Sequence, residues 1–351
     1  MISRRWIGAA FALASAILFG LSTPLAKALV GRVDPWLLAA ILYLGSGTGL
    51  TIYALTQRLT AKAAREAPLR RSDLSWLIGA ILSGGVIGPV LLMLGLATTP
   101  ASSAALLLNL EGLATMAIAW GIYKENADRR IVLGALAILA GALVLSWQGG
   151  FGGLGLGALA IAGACLAWGI DNNLTRKISH ADPLQIAAIK GLAAGGINLC
   201  LALLIGVRVP AAPLVLGAAF VGFFGYGVSL VLFVLALRHV GAARTGAYFS
   251  TAPFIGAVAA IAFFHDAVTL QLLAAAALMG LGLYFHLAEH HEHAHVHEPM
   301  EHEHAHVHDE HHQHEHGPDA PLGEPHSHRH RHARLVHAHP HYPDLHHVHE
   351  H

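Results

Sequence analysis

Charged side chains are scarce in this sequence. Only 12% of its 351 residues are Asp, Glu, Lys or Arg, whereas 55% are hydrophobic. Soluble domains carry about 25% charged residues, so the composition indicates a membrane protein and we expect no nucleic-acid partner. Cysteine is also scarce. Cys165 and Cys200 both lie in apolar runs, so no disulfide framework is expected.

The few charges are unevenly distributed along the chain. Before residue 289 there are 18 Lys and Arg against 9 acids, and from there on 3 against 12. The histidines are more uneven still, because 24 of the 28 lie after residue 289. The sequence therefore consists of an apolar part that ends near residue 288 and a chemically different tail over 289–351.

The apolar part is divided into ten runs of about 20 residues, a length that spans a bilayer as a helix. Proline, glycine or charged residues occupy the joints between the runs, as expected of connecting loops. The runs are roughly 6–29, 35–56, 75–98, 101–122, 131–148, 154–175, 183–207, 213–237, 242–264 and 267–288.

The basic residues of the joints predict the orientation. With a cytoplasmic N-terminus, the inner segments hold 14 Lys and Arg, whereas the outer loops hold only Arg32 and Arg208. This bias fits the positive-inside rule and supports an even number of spans. We therefore expect a multi-pass protein of a bacterial-type inner membrane, with both termini in the cytoplasm.

The two halves of the apolar part resemble each other. The segment 19–27 (FGLSTPLAK) matches 168–176 (WGIDNNLTR), and 101–125 falls on 242–266 when moved by 141 positions. Each half holds five spans, and an odd number makes the halves opposite in orientation. Inverted repeats place a binding site near the membrane midplane, between the halves.

The predicted fold is thus an all-α membrane protein of ten transmembrane helices, arranged as two inverted five-helix repeats over 6–148 and 154–288. The third segment, 289–351, has almost no aliphatic residues and several prolines. Such a composition cannot bury a core, so we expect a disordered His-rich tail.

Several motifs recur in the same order in both halves. They are Gly20, Pro24 and Lys27 in the first run, Leu106 to Glu125 with its Lys124–Glu125 end in the fourth, Trp168–Gly169 in the sixth, and Tyr248 to Asp266 with Pro253 in the ninth.

Their order and spacing resemble the drug/metabolite transporter superfamily, in particular its ten-helix branch with two EamA domains. The resemblance covers residues 6–288. It implies a secondary transporter, usually an exporter of small organic solutes by alternating access, and neither an enzyme nor a protein that requires a cofactor. Gly112 stands where this family has proline, which bears on the kink of the fourth helix, and Asp266 stands where glutamate is commoner. No G-x-x-x-x-G-K-[ST] motif occurs, which argues against ATP as the driving force.

Few ionisable residues lie inside the predicted spans. Glu111 is near the middle of the fourth run, too deep to reach the interface, and is a candidate for binding substrate or carrying a proton. Asp171 and Asn172 lie near the inner end of the sixth run, where they could serve function or simply hydrate a helix end. Lys190 could pair with Asp171 or bind an anionic group of a substrate. Lys27, near the end of the first run, is expected to extend its ammonium group to the interface.

Glu111 is also the asymmetric position of the repeat, because Ala252 corresponds to it in the second half. Glu125 corresponds to Asp266, so this pair belongs to the scaffold shared by both halves. An acid present in only one of two inverted halves is where we expect the substrate.

The tail alternates histidine with acidic or small residues, a pattern that suits Zn²⁺, Ni²⁺ or Co²⁺. A pH-sensitive solvated tail is the alternative. H-E-x-x-H occurs at 291–295 and 302–306, but it arises there from composition, so we discard a zinc protease. The candidate metal ligands are His291, His293, His295, His297, His302, His304, His306, His308, His326, His328, His330 and His332.

The sequence leaves three functions open. The favoured one is export of small organic metabolites across the inner membrane, with a cytoplasmic tail that binds divalent metal. A transporter of nickel, cobalt or zinc is the first alternative, although the spans contain few metal ligands. A membrane-anchored metal store or sensor is the second. Expected partners are membrane lipid and a small-molecule or metal-ion substrate, and the chain is expected to be a monomer or homodimer.

Overall fold

A computed structural model describes the chain in nine stretches. Glu125 lies outside them, as do His291 and His308 of the tail, and for the tail stretches only the backbone is considered. The described stretches are 4–59, 68–123, 129–147, 155–178, 181–287, 292–297, 300–306, 326–332 and 335–340.

The described elements before the tail are helices joined by short loops. The α-helices are α1 Arg4–Leu29, α2 Pro35–Leu59, α3 Leu74–Ala80, α4 Gly88–Thr98, α5 Ala101–Leu107, α6 Asn109–Tyr123, α7 Arg129–Ser146, α8 Leu156–Arg176, α9 Pro183–Leu204, α10 Ala212–Gly222, α11 Ser229–Phe249, α12 Ala252–Phe264 and α13 Leu270–Leu287. Two π-helical segments, π1 Ile81–Ile87 and π2 Phe223–Val228, join α3 to α4 and α10 to α11.

Six of the described helical stretches are long and apolar enough to cross a membrane: 7–29, 35–57, 71–98, 101–122, 183–204 and 212–236. Three shorter apolar helices occur at 132–146, 252–264 and 270–285. α8 falls outside both groups because the polar residues at 171–173 lower its hydropathy. The chain is therefore an all-helical, multi-pass membrane protein up to its tail.

The fourth apolar run, which the sequence predicts as one helix, is interrupted at Leu108. α5 ends just before this residue and α6 begins just after it. The second half has a corresponding interruption between α11 and α12, so the kink persists although Gly112 stands in place of proline. The two pieces differ in environment. Six of the seven residues of α5 are buried, whereas none of the α6 residues whose side chains are described is buried.

α11 includes a reversal of chain direction. The ring centroids of Phe233 and Phe249 are 5.0 Å apart. Sixteen residues of straight helix would separate them by about 24 Å, so the backbone must turn back between them. The eighth and ninth apolar runs of the sequence therefore turn back on each other within α11.

Glycine permits close contact between the two halves. α2 packs along α9, and a Cβ on Gly47 would lie 2.7 Å from the Gly191 carbonyl carbon, while one on Gly191 would lie 2.7 Å from the Gly47 Cα. Small residues of this kind let helix backbones touch in membranes, where apolar lipid provides no hydrophobic force between helices. The helices thus cross at their backbones.

Most of the remaining helix packing also joins the two halves of the chain. α1 packs against α11, α12 and π2, and α8 packs against α4, α6 and π1. α7 lies along α13. The core between them is formed by fully buried side chains such as Leu38, Met93, Leu96, Leu107 and Ile161.

The described residues of the tail form two pairs of strands. β1 Glu292–His297 pairs antiparallel with β4 Leu335–Pro340, and β2 Met300–His306 pairs antiparallel with β3 His326–His332. Alternation of histidine with other residues has the two-residue period of a β-strand.

Candidate functional site

Glu111 occupies the first turn of α6, directly after the interruption of the fourth helix. Its backbone N–H donates to the Leu108 carbonyl, which closes the tight turn between α5 and α6 (N···O 3.0 Å). The first N–H groups of a helix lack partners and carry partial positive charge. The sequence predicts Glu111 in the middle of a continuous span. A carboxylate in the first turn of a helix is better accommodated than one in that position.

Asn172 of α8 supplies the hydrogen bond to the Glu111 carboxylate. The Asn172 amide donates to Glu111 Oε1 and to Thr115 Oγ1, both at 3.1 Å. The next residue, Asn173, donates to the backbone carbonyls of Thr115 and Gly169 at 3.0 and 2.8 Å. Two successive amides of the second half thus hold α6 of the first half, and two predicted site residues, Glu111 and Asn172, lie together.

The other two predicted site residues form an ion pair with each other. Lys190 Nζ lies 2.5 Å from Asp171 Oδ1, and Thr175 Oγ1 donates to the same oxygen at 2.8 Å. Lys190 also donates to Thr175 Oγ1 at 3.2 Å. The side chains of Lys190 and Asp171 are 18% and 9% exposed, so the pair is largely out of water. The predicted pairing of Lys190 with Asp171 is therefore present.

The π1 segment fits against this ion pair at Gly84. A Cβ on Gly84 would overlap the Asp171 carboxylate, so no larger residue fits without displacing it. The Gly84 carbonyl accepts hydrogen bonds from the Trp168 indole at 2.8 Å and from the Tyr43 hydroxyl at 2.9 Å. π-Helical turns often occur at functional sites, and this one orders the side chains that surround Asp171.

Aromatic rings form a continuous row beside these polar groups. Ring centroids are separated by 5.8 Å between Tyr43 and Tyr226, 6.0 Å between Tyr226 and Phe19, and 5.3 Å between Phe19 and Phe249. Phe233 continues the row at 5.0 Å from Phe249. The row connects helices of both halves, and sequence reasoning missed it because these rings are far apart in the chain.

The charges of the site do not balance. Asp171 is paired with Lys190, but among the residues that the structure describes no cation lies within salt-bridge distance of Glu111. Both Tyr43 and Tyr226 are close enough to Glu111 to interact with it electrostatically. The arrangement is thus one acid, held by an amide of the other half, with two tyrosines of the aromatic row within electrostatic range.

Metal ligands are sparse in this region. Within the described stretches, no three His, Cys, Asp or Glu residues form a group that could hold a metal ion. In the tail, the backbone register makes three pairs of histidines opposite partners across β2 and β3, and two across β1 and β4. These pairs are His302 with His330, His304 with His328, His306 with His326, His293 with His339 and His295 with His337. In the same register His297 is opposite Leu335 and His332 is opposite Met300.

Comparison with known proteins gives relatives of the same kind. An uncharacterized transporter of Methanothermobacter thermautotrophicus is 28% identical over 281 residues, which cover 75% of this chain and 81% of that protein. An uncharacterized transporter of Bacillus subtilis is 25% identical over 265 residues, covering 74% and 84%. A solved crystal structure shares the fold, with a TM-score of 0.57 and 21% identity over 81% of this chain and 95% of the other.

The match to a protein family covers nearly all of the chain before the tail. The EamA-like transporter family matches twice in succession, at residues 6–147 and at residues 155–288. The two matched segments contribute Glu111 and Asn172, respectively, to the site described above. The chain belongs to the EamA-like transporter family.

Proposed function

We propose that the chain is a secondary transporter that exports small organic metabolites across the inner membrane by alternating access. The observation that carries this proposal is the position of Glu111. It lies in an interrupted helix of the first family-matched segment, and its hydrogen-bond partner is an amide of the second. Acids at membrane depth mark transport sites, and interrupted helices are a common way to build them.

An inverted repeat supports alternating access. π1 and π2 lie at corresponding places, because Gly84 moved by 141 positions is Gly225. Gly84 packs on Asp171, and Gly225 packs on Ser22, where a Cβ would lie 2.5 Å from the Ser22 Cβ. Ser22 and Asp171 themselves correspond, 149 positions apart. Each half thus inserts its π segment against the first helix of the other half, as a pseudo-twofold axis in the membrane plane requires.

The surroundings of Glu111 favour a substrate with a positively charged or protonated amino group. Such a group would complete the ion pair that Glu111 lacks among its described neighbours. The nearby rings of Tyr43 and Tyr226 would pack against the apolar part of the molecule and attract its cation. Lys190 is an unsuitable partner for an anionic substrate, because Asp171 already neutralises it.

The orientation of the protein is part of the proposal. The excess of Lys and Arg in alternate loops favours a cytoplasmic N-terminus and a cytoplasmic tail. In this orientation Lys27, Ser102 and Asp266 lie on the outer side of the membrane. Asp171 and Lys190 then lie toward the cytoplasm. Both family-matched segments would share one bilayer, and the tail would extend from α13 on the inside.

We also propose that the tail binds divalent metal. Its 24 histidines are accompanied by acidic residues, and imidazole is a preferred ligand of zinc, nickel and cobalt. Register partners in antiparallel strands are about 4.5–5.5 Å apart at their Cα atoms, a spacing that suits two histidines sharing one ion. Pairs such as His304 with His328 support a site built from two distant parts of the tail.

Transport into inverted membrane vesicles tests the proposed function. A strain that lacks the protein is complemented with the full chain, and vesicles are assayed with radiolabelled organic amines, amino-acid analogues and Ni²⁺, Co²⁺ and Zn²⁺. We expect accumulation of at least one organic amine and none of the metals. Metal held by the tail is removed with a chelator before counting, so accumulation of metal alone inside chelator-washed vesicles would instead establish the metal-transporter alternative.

A further inference from the structure

Lys27 connects the end of α1 to the end of α4. Its ammonium group donates to the backbone carbonyls of Leu96 and Thr99, the latter at 3.0 Å. These carbonyls belong to the last turn of α4, where unpaired oxygens carry partial negative charge. Lys27 therefore does not simply extend to the interface, as the sequence predicts, but binds the C-terminal end of another helix.

Asp266 connects the same corner to the end of α12. Its Oδ2 accepts hydrogen bonds from the backbone N–H of Ser102 at 2.9 Å and from the Ser102 hydroxyl at 2.8 Å. Lys27 and Asp266 are close enough to attract each other electrostatically. The preceding residue, His265, has a left-handed backbone (φ 54°), and it is the one non-glycine residue with positive φ in the described stretches. This unusual turn directs the chain so that Asp266 meets Ser102.

The core directly beneath this corner is closely packed. Met93 and Leu96 of α4 and Leu106 and Leu107 of α5 are 0–1% exposed. The fourth apolar run changes environment past Leu108, because no described side chain of α6 is buried. Glu111 is therefore enclosed on the side toward Lys27 and less enclosed on the opposite side.

We propose that Lys27, Ser102 and Asp266 form a latch that closes one side of the transport pathway and must open for the substrate to leave or enter there. This inference rests on the proposed function. The latch joins the ends of α1, α4, α5 and α12, which are the helices that enclose the packed core above Glu111. Separating them is the smallest movement that gives access from that side.

The native Cys165 provides a reporter of this movement. It is fully buried on α8, and its thiol contacts the Leu107 carbonyl at 3.7 Å, at the lower edge of the packed core. In the full chain with Cys200→Ser, the rate of Cys165 labelling by a membrane-impermeant thiol reagent is measured in oriented vesicles. A separate Arg32→Cys variant identifies the membrane side on which Lys27 lies, because Arg32 is in the adjacent exposed loop.

We expect Asp266→Ala and Ser102→Ala to increase the labelling rate from the Lys27 side by about tenfold, which is the effect of losing two hydrogen bonds or one, respectively, that favour the closed state. Lys27→Arg should label like the parent, because arginine can still donate to both carbonyls. Gln271→Ala is the matched control. Its amide donates to the Val144 and Trp147 carbonyls and joins α13 to α7 outside the latch.

Unchanged labelling in Asp266→Ala and Ser102→Ala would overturn the latch, as would an equal increase in Gln271→Ala. Melting temperatures within a few degrees of the parent show that the variants are folded. The labelling needs no substrate, so its result is separable from transport. Faster labelling of the variants without any transported solute would support the latch and reject the proposed function. Transport with unchanged labelling would support the proposed function and reject the latch.

Discussion

Lys190 Nζ and Asp171 Oδ1 lie 2.5 Å apart, and Thr175 donates a further hydrogen bond to the same carboxylate oxygen. The pair joins α8 to α9 beneath π1, and Gly84 leaves just enough room for the Asp171 side chain. A largely buried ion pair is costly to break, because the remaining charge is left without water or a partner. This pair is therefore structural, whereas we propose that Glu111 is available to a ligand.

Removing only the cation of this pair should destabilise the protein strongly. We expect Lys190→Met to lower the free energy of unfolding by about 3–5 kcal/mol, since Asp171 would remain charged and buried. The double variant Lys190→Met/Asp171→Asn should recover more than half of that loss. Unfolding in mixed micelles measures both. Equal losses in the single and double variants would contradict a structural role for the pair.

Gly84→Ala should disrupt the contact between π1 and α8. The added methyl group would overlap the Asp171 carboxylate, and overpacking of this kind costs about 1–3 kcal/mol. Gly217→Ala is the matched control, because no atom lies within 4 Å of its Cβ position and alanine is the better helix former. Thermal unfolding should separate the two variants. If both melt like the parent, the close contact at Gly84 is wrong.

Asn172→Ala should impair transport without unfolding the protein. It removes the donor to Glu111, and hydrogen bonds to charged groups contribute about 1.5–3 kcal/mol, which corresponds to at least a tenfold decrease in kcat/KM. Asn109→Ala is the control. Asn109 lies two residues before Glu111 and donates to the Leu106 carbonyl. A comparable loss in both variants would point to a general effect on α6 rather than on the site.

Ending the chain at Ala288 should abolish metal binding and leave the membrane part intact. The full chain is expected to bind several Ni²⁺ or Zn²⁺ ions, because its tail contains 24 histidines. Equilibrium dialysis with metal analysis gives the stoichiometry, and the melting temperature without metal checks the membrane part. Retention of bound metal by the shortened chain would place the binding outside the tail and reject this part of the proposal.

The sequence predicts the helical architecture because apolar runs and basic loops follow directly from membrane physics. The pairing of Lys190 with Asp171 is also predictable, because a buried cation and a buried acid on the same side of the membrane have few other charged partners. The interruption at Leu108 and the two π segments are not, because tertiary packing determines them.

Contacts between distant residues are hardest to anticipate. The row from Tyr43 to Phe233 becomes visible only when helices of both halves are placed side by side. Lys27 is predicted to extend to the interface, yet the carbonyls of Leu96 and Thr99 bind it instead. A lysine near a span end has both options, and the distinction depends on which helix end lies beside it.

Glu111 is the residue that we propose binds the transported solute. Counterflow in proteoliposomes with the purified full chain tests this proposal most directly, using an organic amine identified in the vesicle assay. We expect Glu111→Gln to reduce counterflow at least about tenfold, because the amide cannot neutralise a cationic substrate. The control Asp34→Asn should transport like the parent, since asparagine can still accept the Trp36 N–H that Asp34 caps at the start of α2. Counterflow by Glu111→Gln equal to that of the parent at every pH tested would show that Glu111 does not bind the solute.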